Sequence, residues 1–259
     1  MVQVKFELDQ SEDFRTLQNA PIVEAILHWQ AAAQSDPDSS EWEKELRRRF
    51  SDYEIELQHN FETALTKSAE GVELKHSTAW EGFRLTKQED GQPIFVCQFK
   101  RDGLIFSRLQ PYQGWDKFEP EAIRFWEVFV DLSEAIEVAQ LSTRYISKIP
   151  ISSLPNVSDY IGEVPQPLAP IGIVANSFYH QDSADLGDLP YTVNTVRAVQ
   201  PMQDSKSYPA SLIIDISVST RNSIVDLDLV PQKLGELRYI KNKIFFALMD
   251  KAIQQGLIT

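Results

Sequence analysis

The sequence predicts an α+β protein of two similarly planned halves, each running strand, helix, antiparallel strands, helix, within one compact body. Three observations carry this prediction. Stretches of period-2 alternation recur along the chain, separated by a few strongly apolar stretches of helical period. Consecutive strand candidates are joined by tight turn signals, which favours antiparallel meanders over parallel crossover units. The order of elements then repeats: residues 1–138 form the first half and 139–259 the second, with no Gly- or Ser-rich linker between them.

The first half opens on "PIVEAILHWQ" (21–30), which places Val23, Ala25, Leu27 and Trp29 on one strand face and Ile22, Glu24, Ile26 and His28 on the other. "SDPDSS" (35–40) supplies a turn and a helix start capped by Ser39 or Ser40. The helix "EWEKELRRRF" carries a stripe of Trp42, Leu46 and Phe50. Residues 52–65 read either as a continuation of that stripe through Tyr53, Leu57, Phe61 and Leu65, or as a strand. Strands follow at 72–88, 93–100 and 103–110, turned by "EDGQ" and "RDG". A second helix starts at "EPEAIRFWEVFVDLSEAIE" (119–137) with Pro120 near its first position. Its apolar residues cover more than one stripe, which predicts burial against the sheet.

The second half begins with the strand "QLSTRYISKIPI" (140–151), followed by a short helical or loop segment over 153–170. Strands are expected at 171–180, 190–200 and 210–220, and a closing helix from about Pro231 to Gln255. Asp226 and Asp228 precede that helix and supply favourable charge at its start.

Bulk properties exclude several functions. The 259-residue chain has a net charge of −13, which disfavours nonspecific binding to nucleic acid or to anionic membranes. Apolar runs are far shorter than the roughly 18 to 20 residues that cross a bilayer. The acidic, alternating start lacks the pattern of a secretory signal, so a cytoplasmic protein is expected. The single cysteine, Cys97, leaves no internal disulfide and reads as strand packing in "PIFVCQFK".

Searches for chemistry return little. No Gly-rich phosphate loop, nucleophile elbow or zinc helix is present, the four histidines are isolated, and neither catalytic residues, a cofactor nor a metal is expected. Glu73-x-Lys75 is the half-motif of metal-dependent nucleases, but its nearest upstream aspartate, Asp52, follows a helix rather than a strand. Asp182, Asp185 and Asp188 in "HQDSADLGDLP" are spaced by three, unlike a calcium loop, and read as a solvated loop. Tyr112 and Trp115 around Gly114 either rim a ligand or partner site or, the plainer reading, anchor a strand-to-helix crossing. Glu24, Arg144, Lys148 and Asp215 interrupt apolar strands; Glu24 is expected to face Arg144 or its strand neighbours, as an organising ion pair first and a pocket wall second.

Four segments together resemble a sporadically distributed bacterial family of uncharacterised proteins: "APIVEAILHWQ", "FSRLQPYQGWDKF", "LSTRYISKI", and "LIIDISV" followed by "LRYIKNKIFFALMDKAI". The family tends to have Gly-Leu where this chain has Ser142-Thr143, and a histidine near Arg238. The resemblance implies no reaction; its patchy distribution is like that of defence or toxin-neutralising genes. Two functions therefore compete. One is a non-enzymatic protein-binding or regulatory protein, such as a toxin neutraliser or phage-defence component, partnered by another protein and admitting a homodimer. The other is a small-molecule sensor or enzyme with its pocket between sheet and helices.

Overall fold

Alternation along the chain builds a single antiparallel sheet. Its strands are β1 (Ile22–Gln30), β2 (Glu54–Ser68), β3 (Gly71–Glu89), β4 (Gln92–Lys100), β5 (Gly103–Leu109), β6 (Gln140–Ile151), β7 (Phe178–Asp185), β8 (Tyr191–Pro201) and β9 (Ala210–Thr220). Their order is β2-β3-β4-β5-β1-β6-β9-β8-β7. The helices are α1 (Ser39–Arg49), α2 (Trp115–Ser133), α3 (Val157–Tyr160) and α4 (Val230–Gln254). This computed structural model describes residues 6–9, 11–35, 37–68, 71–151, 157–161, 171–172, 177–201 and 210–258, with side chains left aside at 60–79.

The two halves meet at β1 and β6, which pair antiparallel with Ile26 opposite Arg144 and Trp29 opposite Leu141. On its other side β1 pairs with β5, the last strand of its own half, and β6 likewise pairs with β9. Each meander thus folds back onto its own first strand, and the two first strands zip the halves into one sheet. The body is α+β and continuous across the midline.

Alternation decides which face is covered. Ala25, Leu27 and Trp29 of β1 are fully buried, as are Leu104 and Phe106 of β5 and Leu212, Ile214 and Val218 of β9. The helices pack on this face: Trp126 of α2 stacks on Trp29, Phe125 lies against Phe50 and Phe106, and Phe129 meets Trp42 and Phe99. The aromatic contacts between α1, α2 and the first meander form one run of apolar surface, the main source of cohesion here. The opposite face, with Glu24, Ile26, His28, Arg144 and Lys148, carries no helix among the described residues.

Local chemistry moves several expected boundaries. The cap of α1 is Asp38, whose carboxylate accepts from the Ser40 and Glu41 amides at 2.8 and 3.4 Å, so the helix starts at the serine rather than being capped by it. Residues 54–68 are a strand, because pairing with β3 satisfies their backbone, and Leu57 is left 44% exposed. Helix α2 starts four residues earlier than expected: Gly114, at φ 112°, turns the chain so that its carbonyl accepts from Phe118. Pro120 therefore sits inside the helix, not at its first position, and leaves one backbone bond unmade. Glu134 ends α2 in the left-handed conformation, so Ile136 lies beyond it, 64% exposed. The strand expected at 171–180 is β7 at 178–185, and Asp182 and Asp185, read as loop residues, lie on it. Asp182 pairs with Arg197 and His180, and Asp185 with Arg221. A 3-10 turn, Leu227–Leu229, capped by Asp226 on the Asp228 amide, leads into α4.

Candidate ligand cavity

Helix α4 lies under β6 and β9, and α2 under β5, on the same face of the sheet. Between the two helices a gap remains, and the N-terminal segment closes it from outside. That segment is pinned by apolar and polar contacts together. Phe14 stacks on Phe246 with centroids 5.4 Å apart. Glu12 accepts from the Tyr239 hydroxyl at 2.7 Å and from Lys243 at 2.9 Å. The Pro21 carbonyl accepts from the Lys148 amide at 2.8 Å. The gap so bounded is a cleft of about 910 Å³, roughly half open to solvent. That is the size of a small-molecule site.

Its wall on the sheet side is Tyr145 and Ser147 of β6 with Ile216 of β9, and its wall on the α2 side is Tyr112 with the first turn of the helix. Two cations of α4, Arg238 and Lys241, complete it. The Lys241 side chain belongs to the row Leu234, Leu237, Lys241, Phe245 and Met249, which helical spacing turns toward the sheet. It is consequently 8% exposed, with its ammonium 3.8 Å from the centre of the Tyr145 ring. Among the described residues it makes no ion pair. Burial, with a smaller contribution from the Arg238 charge, pushes the Lys241 amine down to about 7. Arg238 lies one turn earlier, at the mouth, with its guanidinium 5.3 Å from the Trp115 ring centre and likewise no ion pair among the described residues.

The phenols belong to a wall of mixed polar and apolar character. The Tyr112 and Tyr145 hydroxyls are 3.2 Å apart, and burial raises both phenols above their ordinary range. Gly114 is required here: a Cβ at this position would lie 2.6 Å from the Asp116 carboxylate, at a φ that side chains avoid. Gly114 offers no side chain to cap α2, and the first turn of the helix, with Asp116 in it, lines the cavity.

The sequence-predicted site residues divide between two faces. Tyr112 and Trp115 line the cavity, and Trp115 also packs edge-on against Phe118, so each serves both packing and rim. Arg144, Asp215, Glu24 and Lys148 lie on the helix-free face. Arg144 forms a two-pronged pair with Asp215, Nε to Oδ1 at 3.0 Å and Nη2 to Oδ2 at 2.6 Å. Its partner is the aspartate across β6 and β9, while Glu24 acts on it through charge, with no ion pair between the two. The bond to Asp215, more than that charge, holds the guanidinium above its ordinary pKa. Lys148 is exposed and stands opposite Ile213. A shallower hollow of about 430 Å³, lined by Arg144, Tyr179 and Asp215, lies on this face.

The backbone of Glu73 and Lys75 is in β3, and their side chains lie outside the described residues. Asp52 bonds Lys87 at 2.7 Å, and among the described residues no cluster of His, Cys, Asp or Glu could hold a metal. Cys97 is fully buried, which raises its thiol well above the ordinary range and makes it a packing residue. No described helix is long and apolar enough to cross a membrane. Lys241 was missed by sequence reasoning; a lysine at a core position of an apolar helical row was the signal for it. No family model matches the chain, and neither the curated proteins nor the solved structures yield a match.

Proposed function

We propose that this protein binds a small organic anion in the cavity between α2, α4 and the sheet, as a sensor or an enzyme. The observation that carries the reading is the convergence of Arg238 and Lys241 on one cavity, both without an ion pair among the described residues, in a chain of net charge −13. Acidic side chains are plentiful, yet these two cations are left to rings and open space. A buried ammonium without a counter-ion costs stability, and a ligand carboxylate or phosphate would recover it. The aromatic walls of Tyr112, Trp115, Phe245 and Phe14 favour a ligand with an apolar or aromatic body.

Thermal unfolding with phenyllactate, phenylpyruvate and benzyl phosphate tests the reading. At least one of these should raise the Tm of the wild type, and Arg238→Gln should blunt the rise. A ligand at about 100 times its Kd stabilises by about 2.7 kcal/mol, well within reach of the measurement. No stabilisation by any of the three would count against the reading.

The helix-free face favours a second one. Ile26, Ile146 and Ile213 lie part-exposed there around the Arg144–Asp215 pair, a surface suited to a protein partner. This supports a protein-binding role such as a toxin neutraliser or defence component, and membership of the sporadic bacterial family is proposed with it. Recovery of a stoichiometric protein in a pull-down that Arg144→Glu abolishes would support that role. Free protein alone would tell against it.

A further inference from the structure

The chemistry of Lys241 extends beyond anion binding while resting on that reading of the cavity. We propose that Lys241 captures a carbonyl ligand covalently, its amine condensing with the ketone of a 2-oxo acid whose carboxylate sits on Arg238. Three features of the geometry point to it. The side chain is more than nine-tenths buried yet belongs to the wall of an open cavity. Among the described residues no carboxylate holds it as an ammonium ion; its neighbour is the face of the Tyr145 ring. Arg238 stands three residues earlier, a neighbour on the surface of the same helix, and lines the same cavity, where it can hold the carboxylate of the ligand.

The reaction balances without an oxidant or a second reactant. The neutral amine adds its lone pair to the carbonyl carbon, giving a carbinolamine. The carbon–oxygen bond then breaks, and the two protons of the amine leave with that oxygen as one water, forming the carbon–nitrogen double bond. Solvent at the open side accepts the water. What the residue needs is a neutral amine at neutral pH, and burial beside a second cation supplies it. The charged groups that line the cavity with Lys241 are Arg238 on its own helix and, from the N-terminal segment and the start of α2, Glu12, Asp13, Arg15, Asp116 and Lys117; the phenols are Tyr112, Tyr145 and Tyr239. Glu12 is already committed to Tyr239 and Lys243. Glu119 of α2 feels the Arg238 charge without pairing with it. The resulting imine would lie between the aromatic walls, with the side chain of the 2-oxo acid directed toward Phe245.

Reductive trapping separates this inference from the reading beneath it. The full chain is incubated with phenylpyruvate and sodium cyanoborohydride, and the adduct is mapped by peptide mass spectrometry. The expected result is one adduct on the peptide holding Lys241, lost in Lys241→Arg and in Lys241→Met, both checked for native circular dichroism. Phenyllactate, which lacks the ketone, gives no adduct but protects Lys241 from trapping. If both acids raise the Tm while phenylpyruvate leaves no adduct, covalent capture is overturned and anion binding stands. Neither stabilisation nor adduct overturns both. Adducts spread equally over surface lysines of wild type and variants also overturn the inference.

Discussion

Lys241→Met exchanges a buried ammonium for an apolar side chain of similar length at the wall of the cavity. In the unfolded chain this lysine titrates at its ordinary value of 10.5, and in the folded protein at about 7. Between these values the unfolded state holds more protons, so stability rises with pH. Below about pH 7 both states are protonated and the folded protein carries the full cost of the buried charge. Each pH unit inside the window changes stability by ~1.4 kcal/mol, so the wild type should gain roughly 3 kcal/mol between pH 6 and pH 9 from this residue alone. The variant lacks that gain. Arg15, Arg238, Tyr112, Tyr145, Tyr239, Glu12, Asp13, Asp116 and Lys117, which line the site, are common to both proteins, and their titration cancels in the difference. Urea unfolding of the two proteins at both pH values measures it. The variant should be the more stable at pH 6, and its advantage should shrink by roughly 3 kcal/mol at pH 9, a relative Tm change of roughly 6–10 °C for a chain of this size. A gap that stays constant across this range would refute the reasoning, because it would mean that Lys241 does not change charge in the window.

Other perturbations test the same structure. Asp215→Ala should cost about 1 kcal/mol in urea unfolding, because Asp215 is 12% exposed but the Arg144 left behind is 50% exposed and regains water; a loss of several kcal/mol would show that the Arg144 charge is not relieved by solvent. Glu236 is 7% exposed and accepts from Tyr191, Lys233 and Gln232. Burial raises its pKa, but these bonds together outweigh that and leave it below the ordinary value, so its contribution is present above the unfolded pKa and fades as pH falls through the folded one. Glu236→Ala should therefore destabilise by about 2–3 kcal/mol at pH 7, with a smaller loss at pH 3, read by denaturant melts. Phe125→Ala removes a ring fully buried against Phe50, Tyr53 and Phe106 and should cost about 3–5 kcal/mol by the same assay, without altering ligand specificity.

The sheet was legible because alternation is a local signal with a global consequence. "PIVEAILHWQ" fixes which face of β1 is buried, and the same holds for β6 and β9. The repeated order of elements did not by itself make β1 and β6 neighbours; their pairing entered only through the expectation that Glu24 faces Arg144 or its strand neighbours. Boundaries were less legible, since they depend on single residues such as Asp38, Gly114 and Glu134 whose backbone geometry the pattern does not specify. The strand at 54–68 was ambiguous because its apolar spacing fits both periods, and pairing with β3 decided it. Of the candidate site, Tyr112 and Trp115 were legible as aromatics at a helix start. Arg144 and Asp215 stood out as charges in apolar strands, but their alternation places them on the face away from the helices. The cavity itself was not legible, because its outer wall is an N-terminal segment without regular structure, held by contacts such as Phe14 to Phe246 that join distant parts of the chain. Lys241 was hidden in "LRYIKNKIFF", where three cations sit close together and only helical phase shows which one points inward.

A crystal structure of the protein grown with phenyllactate tests the central claim most directly. The account predicts ligand density in the cavity under the N-terminal segment, with the carboxylate in hydrogen-bond contact with Arg238 and the ring against Trp115 or Phe245. An empty cavity, or ligand seated instead beside Arg144 and Asp215 on the helix-free face, would contradict it.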